Sequence, residues 1–300
     1  MNNKANLNLS IVIPHYNSWS ELNSLLKTIP TNSISVIVVD DNSIDSESNL
    51  SEFQEKFPDV TFLVNTSGNK GAGAARNIGI NKVSTQWIMF ADADDLFIDN
   101  FENNINKYFN SKFDVIYFEP TSFKTGNVIR SKRHIPYKNL ISQFNNEPTL
   151  KNELLLRCGF YVPWAKLIRK SLIDEFDIKF EEIQYSNDLL FSAKIGIKAK
   201  EILAVNQVIY SVRESDTSLT SNMDSRKFKI RFNAWLRYVD YLKSNLNERE
   251  YKVLNLTAFS QIIHIFRNKL GLKSFFYAIR ESYKRNIPII RLEDFIKRIK

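Results

Sequence analysis

The chain has 300 residues, 43% of them hydrophobic, and a formal net charge of +8 at pH 7. This composition excludes a disordered or fibrous chain, and the length suits one large α/β domain with an appended helical part. The sequence has no apolar run of about 18 residues, as a membrane-spanning helix needs, and residues 1–6 lack the apolar core of a signal peptide. We therefore expect a cytoplasmic protein.

The positive charge is concentrated near the C-terminus. Residues 267–300 contain ten Lys or Arg and three acidic residues, whereas the rest of the chain is nearly neutral. Proteins that track nucleic-acid phosphates need basic side chains along the whole binding face rather than in one segment. This distribution argues against a nucleic-acid partner.

Five predicted strands alternate with predicted helices in the first part of the chain. The strands are short β-branched or aromatic runs, and the first helix carries an apolar stripe, with Ser18 as its expected cap. Such alternation predicts a mostly parallel, doubly wound sheet, in which ligands bind at the carboxyl ends of the strands. The predicted strands are 10–14, 34–39, 60–64, 86–90 and 114–118, and the predicted helices are 18–29, 74–81 and about 101–109.

The remainder of the chain is less regular. Residues 121–210 mix short elements, and after residue 221 only helical spacing is visible, as in 230–246 and 251–270. We predict an α/β domain at 1–220 and a helical, basic region at 221–300.

Three carboxylates within four residues, Asp92, Asp94 and Asp95, follow the fourth predicted strand. Carboxylates this close repel each other unless a cation or hydrogen-bond donors compensate. A Mg²⁺ or Mn²⁺ ion takes one or two carboxylates as ligands and fills its other positions with water and phosphate oxygens. The alternative is a helix N-terminus, where aspartate is favoured by capping and by the helix dipole.

Polar residues also follow the first and second predicted strands. Tyr16 and Asn17 either contact a nucleotide base or form an ordinary strand-to-helix turn around a packed ring. Asp41 either accepts a hydrogen bond from a base or a ribose hydroxyl, or belongs to an Asx-turn with Asn42. Each segment by itself leaves both interpretations open.

A glycine-rich loop at residues 68–77 leads into the predicted helix at 74–81 and carries Lys70 and Arg76. Backbone N–H groups at a helix start, together with these cations, suit a phosphate or a nucleotide. The loop is not a Walker loop, because no Gly-Lys-Ser/Thr follows at the required spacing. Arg76 also stands where the dinucleotide fingerprint needs its third glycine.

Three further residues have a chemical and a structural interpretation. Asp188 precedes an apolar helical run, where an N-cap residue is the structural alternative. Arg213 ends a strand and is followed by hydroxyl residues up to Ser218, which form either a phosphate clamp or a polar turn. The single cysteine, Cys158, has no Cys or His at metal-ligand spacing, and we expect a buried core thiol.

Seven segments, taken in order, resemble the inverting glycosyltransferases of family 2, which build bacterial capsules, lipooligosaccharides and wall polymers. Each is ordinary by itself, but seven with this order and spacing make a specific match. The resemblance implies a GT-A fold, with a nucleotide-sugar half at about 1–120 and an acceptor half at about 121–220. The matching segments are 11–17, 38–43, 71–79, 90–95, 164–169, 187–188 and 210–218.

The resemblance also implies roles for individual residues. It suggests a uracil site at Pro14, Tyr16 and Asp41, and a metal site centred on Asp94, with Asp92 and Asp95 as the other candidate ligands. Trp164 and Lys166 would shape the donor-sugar and acceptor pocket. The candidate nucleotide-sugar-binding residues are Pro14, Tyr16, Asn17, Asp41, Lys70, Arg76, Asp92, Ala93, Trp164, Lys166, Arg213 and Ser218.

Asp188 occupies the position of the family's general base. The implied reaction is a single displacement: Asp188 takes a proton from an acceptor hydroxyl, the oxygen attacks the anomeric carbon, and Mn²⁺ or Mg²⁺ stabilises the departing diphosphate. The usual pattern has a Glu before this Asp, whereas Asn187 stands here. The group that orients the base therefore differs from the family's.

The resemblance implies a UDP-sugar donor and a glycan or lipid-linked glycan acceptor. The basic segment 269–300 either contacts an anionic membrane surface, such as the inner face of the cell membrane, or packs as a helical subdomain with solvated cations. Two rival functions are a sugar-nucleotide nucleotidyltransferase and a non-catalytic nucleotide- or glycan-binding module. A nucleotidyltransferase usually has a glycine-rich segment directly after its first strand, and this sequence has none there. The presence of Asp92, Asp94 and Asp188 together argues against a non-catalytic module.

Overall fold

The computed structural model describes residues 7–44, 46–124, 127–214 and 223–291, and only the backbone of 127–130. The chain divides into two compact units, Met1–Ser215 and Asp216–Lys300. The predicted domain boundary at residue 220 lies in the segment 215–222, outside the described residues. The division of the first domain into a donor half and an acceptor half stays a prediction.

The first unit combines one sheet with helices along the chain between its strands. The strands are β1 (Leu9–His15), β2 (Ser35–Asp40), β3 (Val60–Val64), β4 (Trp87–Phe90), β5 (Leu96–Phe97), β6 (Val115–Lys124), β7 (Asn127–Arg130), β8 (Lys166–Arg169) and β9 (Ile202–Glu214). The helices are α1 (Trp19–Leu26), α2 (Ser46–Lys56), α3 (Ala72–Ile80), α4 (Phe101–Asn106), α5 (Ile135–Asn146), α6 (Leu150–Gly159), α7 (Lys170–Glu175) and α8 (Asp188–Lys198).

Most strands of the sheet run in one direction. The strand order is β3-β2-β1-β4-β8-β6-β9-β5, and β7 pairs with β6. β1 to β4 are parallel to one another, and β8 lies antiparallel between β4 and β6. Because β6 and β9 are parallel to each other, only β5, β7 and β8 run against the others. The predicted α/β class with a mostly parallel sheet is confirmed.

Strand β1 lies inside the sheet and sets the level of the neighbouring strand ends. Every residue of β1 is buried, as expected for a parallel strand that is covered on both faces. Its register pairs His15 with Asp40 of β2, so both strands end at the same level. The loops that follow β1 and β2 therefore start side by side at one edge of the sheet.

The predicted start of the first helix needs a correction. Ser18 is the N-cap residue of α1, but its side chain makes no capping hydrogen bond. Its backbone N–H instead donates to His15 Nε2 at 3.1 Å. The helix ends at Leu26, three residues before the predicted end, and the chain then turns through Pro30.

The described part of the second unit, residues 223–291, contains helices and no strand. These are α9 (Ser225–Asn245), α10 (Glu248–Val253), α11 (Phe259–Arg267) and α12 (Gly271–Lys284). The predicted helical stretch 251–270 is interrupted between α10 and α11, where Asn255 has a left-handed backbone conformation with φ 48°. Helix α12 packs on α9 and α11.

Gly196 of α8 lies against the backbone of α6, and a Cβ at this position would overlap the carbonyl oxygen of Arg157. We expect Gly196→Ala to lower the free energy of unfolding by about 1–3 kcal/mol, because relieving the overlap requires a backbone shift. The control is Gly159→Ala, whose Cβ would meet only the Leu140 side chain at 3.4 Å. Urea denaturation followed by circular dichroism should show a change below about 0.5 kcal/mol for the control, and equal effects would contradict the close approach.

Candidate active site

A buried hydrogen-bond network joins the ends of β1 and β2. His15 Nδ1 lies 2.9 Å from Asp40 Oδ1, and Nε2 accepts from the Ser18 backbone, which assigns the ring proton to Nδ1. Burial lowers the pKa of His15 although Asp40 opposes the shift, so the ring is neutral at pH 7. Ser43 donates its backbone N–H to Asp40 Oδ2 at 3.0 Å, so Asp40 rather than Asp41 forms the Asx-type turn.

Asp41 and Asn17 hold the neighbouring loops in place. Asp41 Oδ2 accepts the Gly71 N–H at 2.7 Å, and Oδ1 accepts from Asn65 Nδ2 at 2.5 Å. Asn17 Oδ1 accepts the Ile44 N–H at 2.8 Å. Tyr16 lies at the same edge and is 57% exposed, so its ring is accessible to a ligand.

The three clustered carboxylates lie on a β-turn at residues 92–95, here called the acidic turn. The Asp95 N–H closes this turn by donating to the Asp92 carbonyl at 3.1 Å. The chain then enters β5, and α4 begins only at Phe101, so the helix N-terminus alternative is wrong. Asp95 is 1% exposed. Its Oδ2 accepts from the Tyr210 hydroxyl at 2.8 Å, and its Oδ1 accepts the Arg213 N–H at 2.7 Å.

Arg76 of α3 connects the acidic turn to the start of α8. The guanidinium donates to Asp92 Oδ1 at 2.5 Å through one nitrogen and to Asn187 Oδ1 at 2.9 Å through another. It also lies over the Phe180 ring, 5.1 Å from the ring centroid. Arg76 is 5% exposed, so its charge is buried. Two acidic motifs that lie far apart in sequence therefore meet at one buried cation.

Asp188 is the first residue of α8, and Asn187 holds the N-cap position without a capping bond from its side chain. The N-cap alternative for Asp188 is therefore wrong. Burial raises the pKa of Asp188, and the charge of Asp92 adds to the shift. Arg76 and Lys166 act in the opposite direction and favour the ionised carboxylate. Asp188 thus lies within electrostatic reach of the acidic turn.

Two residues that fix this arrangement were not among the predicted site residues. Asn77 of α3 holds the segment before α8, because its side chain accepts the Phe180 N–H at 2.9 Å and donates to the Phe180 carbonyl at 3.0 Å. Tyr210 lies under the acidic turn. Asn77 and Tyr210 belong to the matching segments 71–79 and 210–218, so position pointed to both, although no chemical pattern around Tyr210 distinguishes it from a core residue.

Trp164 and Lys166 lie behind the cleft, and each is 1% exposed. Trp164 stacks on Tyr210 at a centroid distance of 5.8 Å. Lys166 Nζ donates to the Phe160 carbonyl at 2.6 Å, and burial lowers its pKa to about 7. Both side chains are covered by protein, and their predicted role in shaping the donor-sugar and acceptor pocket stays a prediction.

The other candidate residues are spread around the cleft. Pro14 and Ala93 are buried, and Lys70 is exposed. The Arg213 guanidinium lies 3.8 Å from Glu21 Oε1 and over the Phe123 ring. Ser218 lies outside the described residues.

The acidic turn fits a cation bound by one or two carboxylates. Burial raises the pKa of Asp94, and repulsion from Asp92 adds to it, so the negative charge is poorly compensated. Asp95 is engaged through both oxygens, which favours a structural role over the predicted metal contact. No group of three or more His, Cys, Asp or Glu within the described ranges is arranged to hold a metal ion. Asp94 and Asp92 alone offer the one or two carboxylates that a hard divalent ion takes when a bound ligand and water complete its shell.

Comparison with known proteins gives an independent finding. Residues 10–176 match the family model described as glycosyl transferase family 2. A poly(ribitol-phosphate) beta-glucosyltransferase of Bacillus spizizenii is 27% identical over 65% of this chain. The alignment spans only 30% of that relative's length.

Solved structures share the fold. Staphylococcus aureus TarS 1–349 in complex with UDP-GlcNAc superposes with a TM-score of 0.63 at 20% identity, over 82% of this chain and 70% of that one. The mannosyltransferase PcManGT of Pyrobaculum calidifontis, in complex with GDP-Man and Mn²⁺, has a TM-score of 0.56 at 14% identity, over 92% and 75% of the two chains. The predicted GT-A fold is confirmed.

Proposed function

We propose that this chain, which belongs to glycosyl transferase family 2, transfers a hexose or an N-acetylhexosamine from a UDP-sugar to a hydroxyl of a glycan or lipid-linked glycan in bacterial surface polysaccharide synthesis. The observation that carries the proposal is the Arg76 guanidinium, which holds the acidic turn and the residue before Asp188 in one cleft. The wall-polymer transferase among its relatives and the UDP-GlcNAc complex of a structural neighbour support it.

The donor nucleotide is proposed to lie across the ends of β1 and β2. The exposed Tyr16 ring offers a surface on which a uracil can stack, and Asp41 lies beside it, where the carboxylate already fixes the glycine-rich loop at Gly71. The start of α3 lies at the same edge, because the Gly71 N–H donates to Asp41, and backbone N–H groups at a helix start suit a phosphate.

A Mn²⁺ or Mg²⁺ ion is proposed at Asp94, with Asp92 as its second protein ligand. When bound, the ion neutralises charge that develops on the departing diphosphate. Asp92 already shares its Oδ1 with Arg76, so Asp94 is the main ligand. Asp95 is left out of the ligand set, because its oxygens accept from Tyr210 and Arg213.

Asp188 is proposed as the general base. Its carboxylate takes the proton of the acceptor hydroxyl, the acceptor oxygen forms a bond to the anomeric carbon, and the bond to the UDP oxygen breaks, with inversion of configuration. Arg76 supports this step in two ways, because it fixes Asn187 beside the base and favours the ionised carboxylate. Because Asn187 is neutral where the family usually has a Glu, Asp92 is the one acidic side chain to which the Arg76 guanidinium donates a hydrogen bond in the described residues.

The sequence left two alternatives to a glycosyltransferase, a sugar-nucleotide nucleotidyltransferase and a non-catalytic binding module. The family match favours a glycosyltransferase over a sugar-nucleotide nucleotidyltransferase. The partly buried Asp188 carboxylate near Arg76 argues against a non-catalytic binding module, because binding alone does not require a base at this position. Release of UDP from a panel of UDP-sugars, with and without added glycan acceptors, discriminates the three functions.

We expect Asp188→Asn to reduce sugar transfer by about 10²–10⁴-fold, because the amide cannot take the acceptor proton. UDP binding measured by calorimetry should stay unchanged, since the substitution preserves shape and leaves the acidic turn intact. Asp177→Asn, an exposed position that pairs with Lys179, is the matched control. Near-normal turnover in Asp188→Asn would exclude the residue as the base.

The acid limb of the pH–rate profile should follow Asp188. A base must be ionised, so activity is lost as the pH falls through its raised pKa and recovers above it. Arg76 favours the ionised form, and we expect Arg76→Gln to move the acid limb of kcat/KM to higher pH. Lys179→Gln removes an exposed cation and should leave the limb in place. An unshifted limb in a folded Arg76→Gln variant would separate Arg76 from the base.

Contact with an anionic membrane surface is proposed for the second unit. Helix α12 packs its small residues Ser274, Ala278 and Ser282 inward and leaves a stripe of large side chains on the other face. Leu272 is 70% exposed and Phe276 63% exposed, with cations beside them. This pattern suits lipid headgroups and acyl chains. The cations are Lys269, Lys273, Arg280 and Lys284.

The last part of the basic segment, residues 292–300, lies outside the described residues. Among the described helices, none combines the length and the apolar character that crossing a membrane demands. The proposal is therefore one of surface contact through α12, which would bring the enzyme to a lipid-linked acceptor.

We expect the double variant Leu272→Ser/Phe276→Ser to bind phosphatidylglycerol vesicles at least about tenfold more weakly than the unmodified chain, because it loses apolar area at the lipid contact. Co-sedimentation with the vesicles measures this, and phosphatidylcholine vesicles test the charge requirement. Leu150→Ser, an exposed position on α6, is the matched control. Unchanged partitioning, or a loss of self-association in place of vesicle binding, would contradict membrane contact.

A further inference from the structure

We infer that Tyr210 is a positioning residue for the proposed metal site and that Asp95 acts as its buried partner rather than as a ligand. This inference rests on the proposed function, because it concerns how the chain holds Asp94 and Asp92 ready for a divalent cation. It assigns a task to two buried polar groups that the proton transfer at Asp188 does not use.

The geometry consists of three hydrogen bonds that connect β9 to the acidic turn. Tyr210 accepts the Asp92 N–H at 2.9 Å and donates its own proton to Asp95 Oδ2 at 2.8 Å. Asp95 Oδ1 accepts the Arg213 N–H at 2.7 Å. One hydroxyl therefore fixes the first residue of the acidic turn through the backbone and the last through the side chain.

The tyrosine itself has little freedom to move. It is fully buried, stacks on Trp164 at 5.8 Å and packs edge-on against Phe97 at 5.1 Å between ring centroids. Phe97 and Tyr210 also face each other in the β5–β9 pairing. The ring is thus held by packing, and its hydroxyl transmits that rigidity to the turn.

The consequence concerns Asp94, which lies between the two fixed ends of the acidic turn. The carboxylates of Asp92 and Asp94 repel each other, so other groups must hold the backbone of the turn to keep them close together. Groups that orient metal ligands in this way affect metal affinity by about 10–100-fold when they are removed. Sequence alone placed Asp95 among the ligands because it is adjacent to Asp94, whereas the hydrogen bonds direct it into the core.

The test titrates Mn²⁺ into the full chain with saturating UDP and follows free Mn²⁺ by electron paramagnetic resonance. We expect Tyr210→Phe to weaken Mn²⁺ binding by about tenfold or more, with KM for the donor rising more than kcat falls. Tyr117→Phe is the matched control, because Tyr117 is also fully buried and its hydroxyl has no hydrogen-bond partner among the described residues. It should bind Mn²⁺ like the unmodified chain.

The outcomes separate this inference from the proposed function. If the unmodified chain and Asp94→Ala bind Mn²⁺ equally, the proposed metal site is wrong. If only Asp94→Ala loses binding and Tyr210→Phe binds normally, the metal site stands and the positioning role of Tyr210 is overturned.

A second variant tests whether Asp95 acts through Tyr210 or contacts the ion itself. Asp95→Asn preserves volume and disturbs the same network from the other side. In the positioning arrangement the double variant binds Mn²⁺ no more weakly than the worse single variant, because both changes break one unit. Additive losses would show that Asp95 contacts the ion independently, which would overturn the inference.

Discussion

The site depends on one buried cation. Arg76 is placed by α3 between the acidic turn and the N-terminus of α8, and its guanidinium is the only described group seen to donate to both. Such a charge is stable in a buried position only when it is paired and hydrogen-bonded. Its two bonds therefore fix the distance between two segments that lie far apart in sequence. Removal of the cation would leave Asp92 facing Asp188 with repulsion alone.

The sheet supplies the frame for this interaction. Parallel strands bring the loops after β1, β2 and β4 to one edge, and His15 with Asp40 joins the first two of them below the surface. The antiparallel β8 then separates β4 from β6, so the second group of strands extends the same sheet. The strand β9 returns from that side to the acidic turn through Tyr210. The site therefore draws on both ends of the chain's first unit.

The sequence was informative about elements whose structure depends on residues close together in the chain. Apolar runs followed by polar clusters predicted β1, β2 and β4, and the side chains after them do share an edge. The polar helix α2 and the two-residue strand β5 have weak local patterns, and their structure depends on neighbours distant in sequence. The same reason hides the inward direction of Asp95 and the burial of Lys166. Asp95 depends on partners more than a hundred residues away, and Lys166 on rings that only the fold assembles around it, so neither leaves a local pattern in the sequence.

Lys166 has a consequence for the thermodynamics of folding. Its pKa is about 7 in the folded chain and 10.5 as its ordinary value, so at mildly alkaline pH the unfolded chain carries a proton there that the native chain lacks. Folding then releases a proton to the solvent, and the linkage makes the native state more favoured as the pH rises through this window. The enthalpy of unfolding should accordingly depend on the ionisation heat of the buffer, with a difference between phosphate and Tris that a lysine-free core would not show.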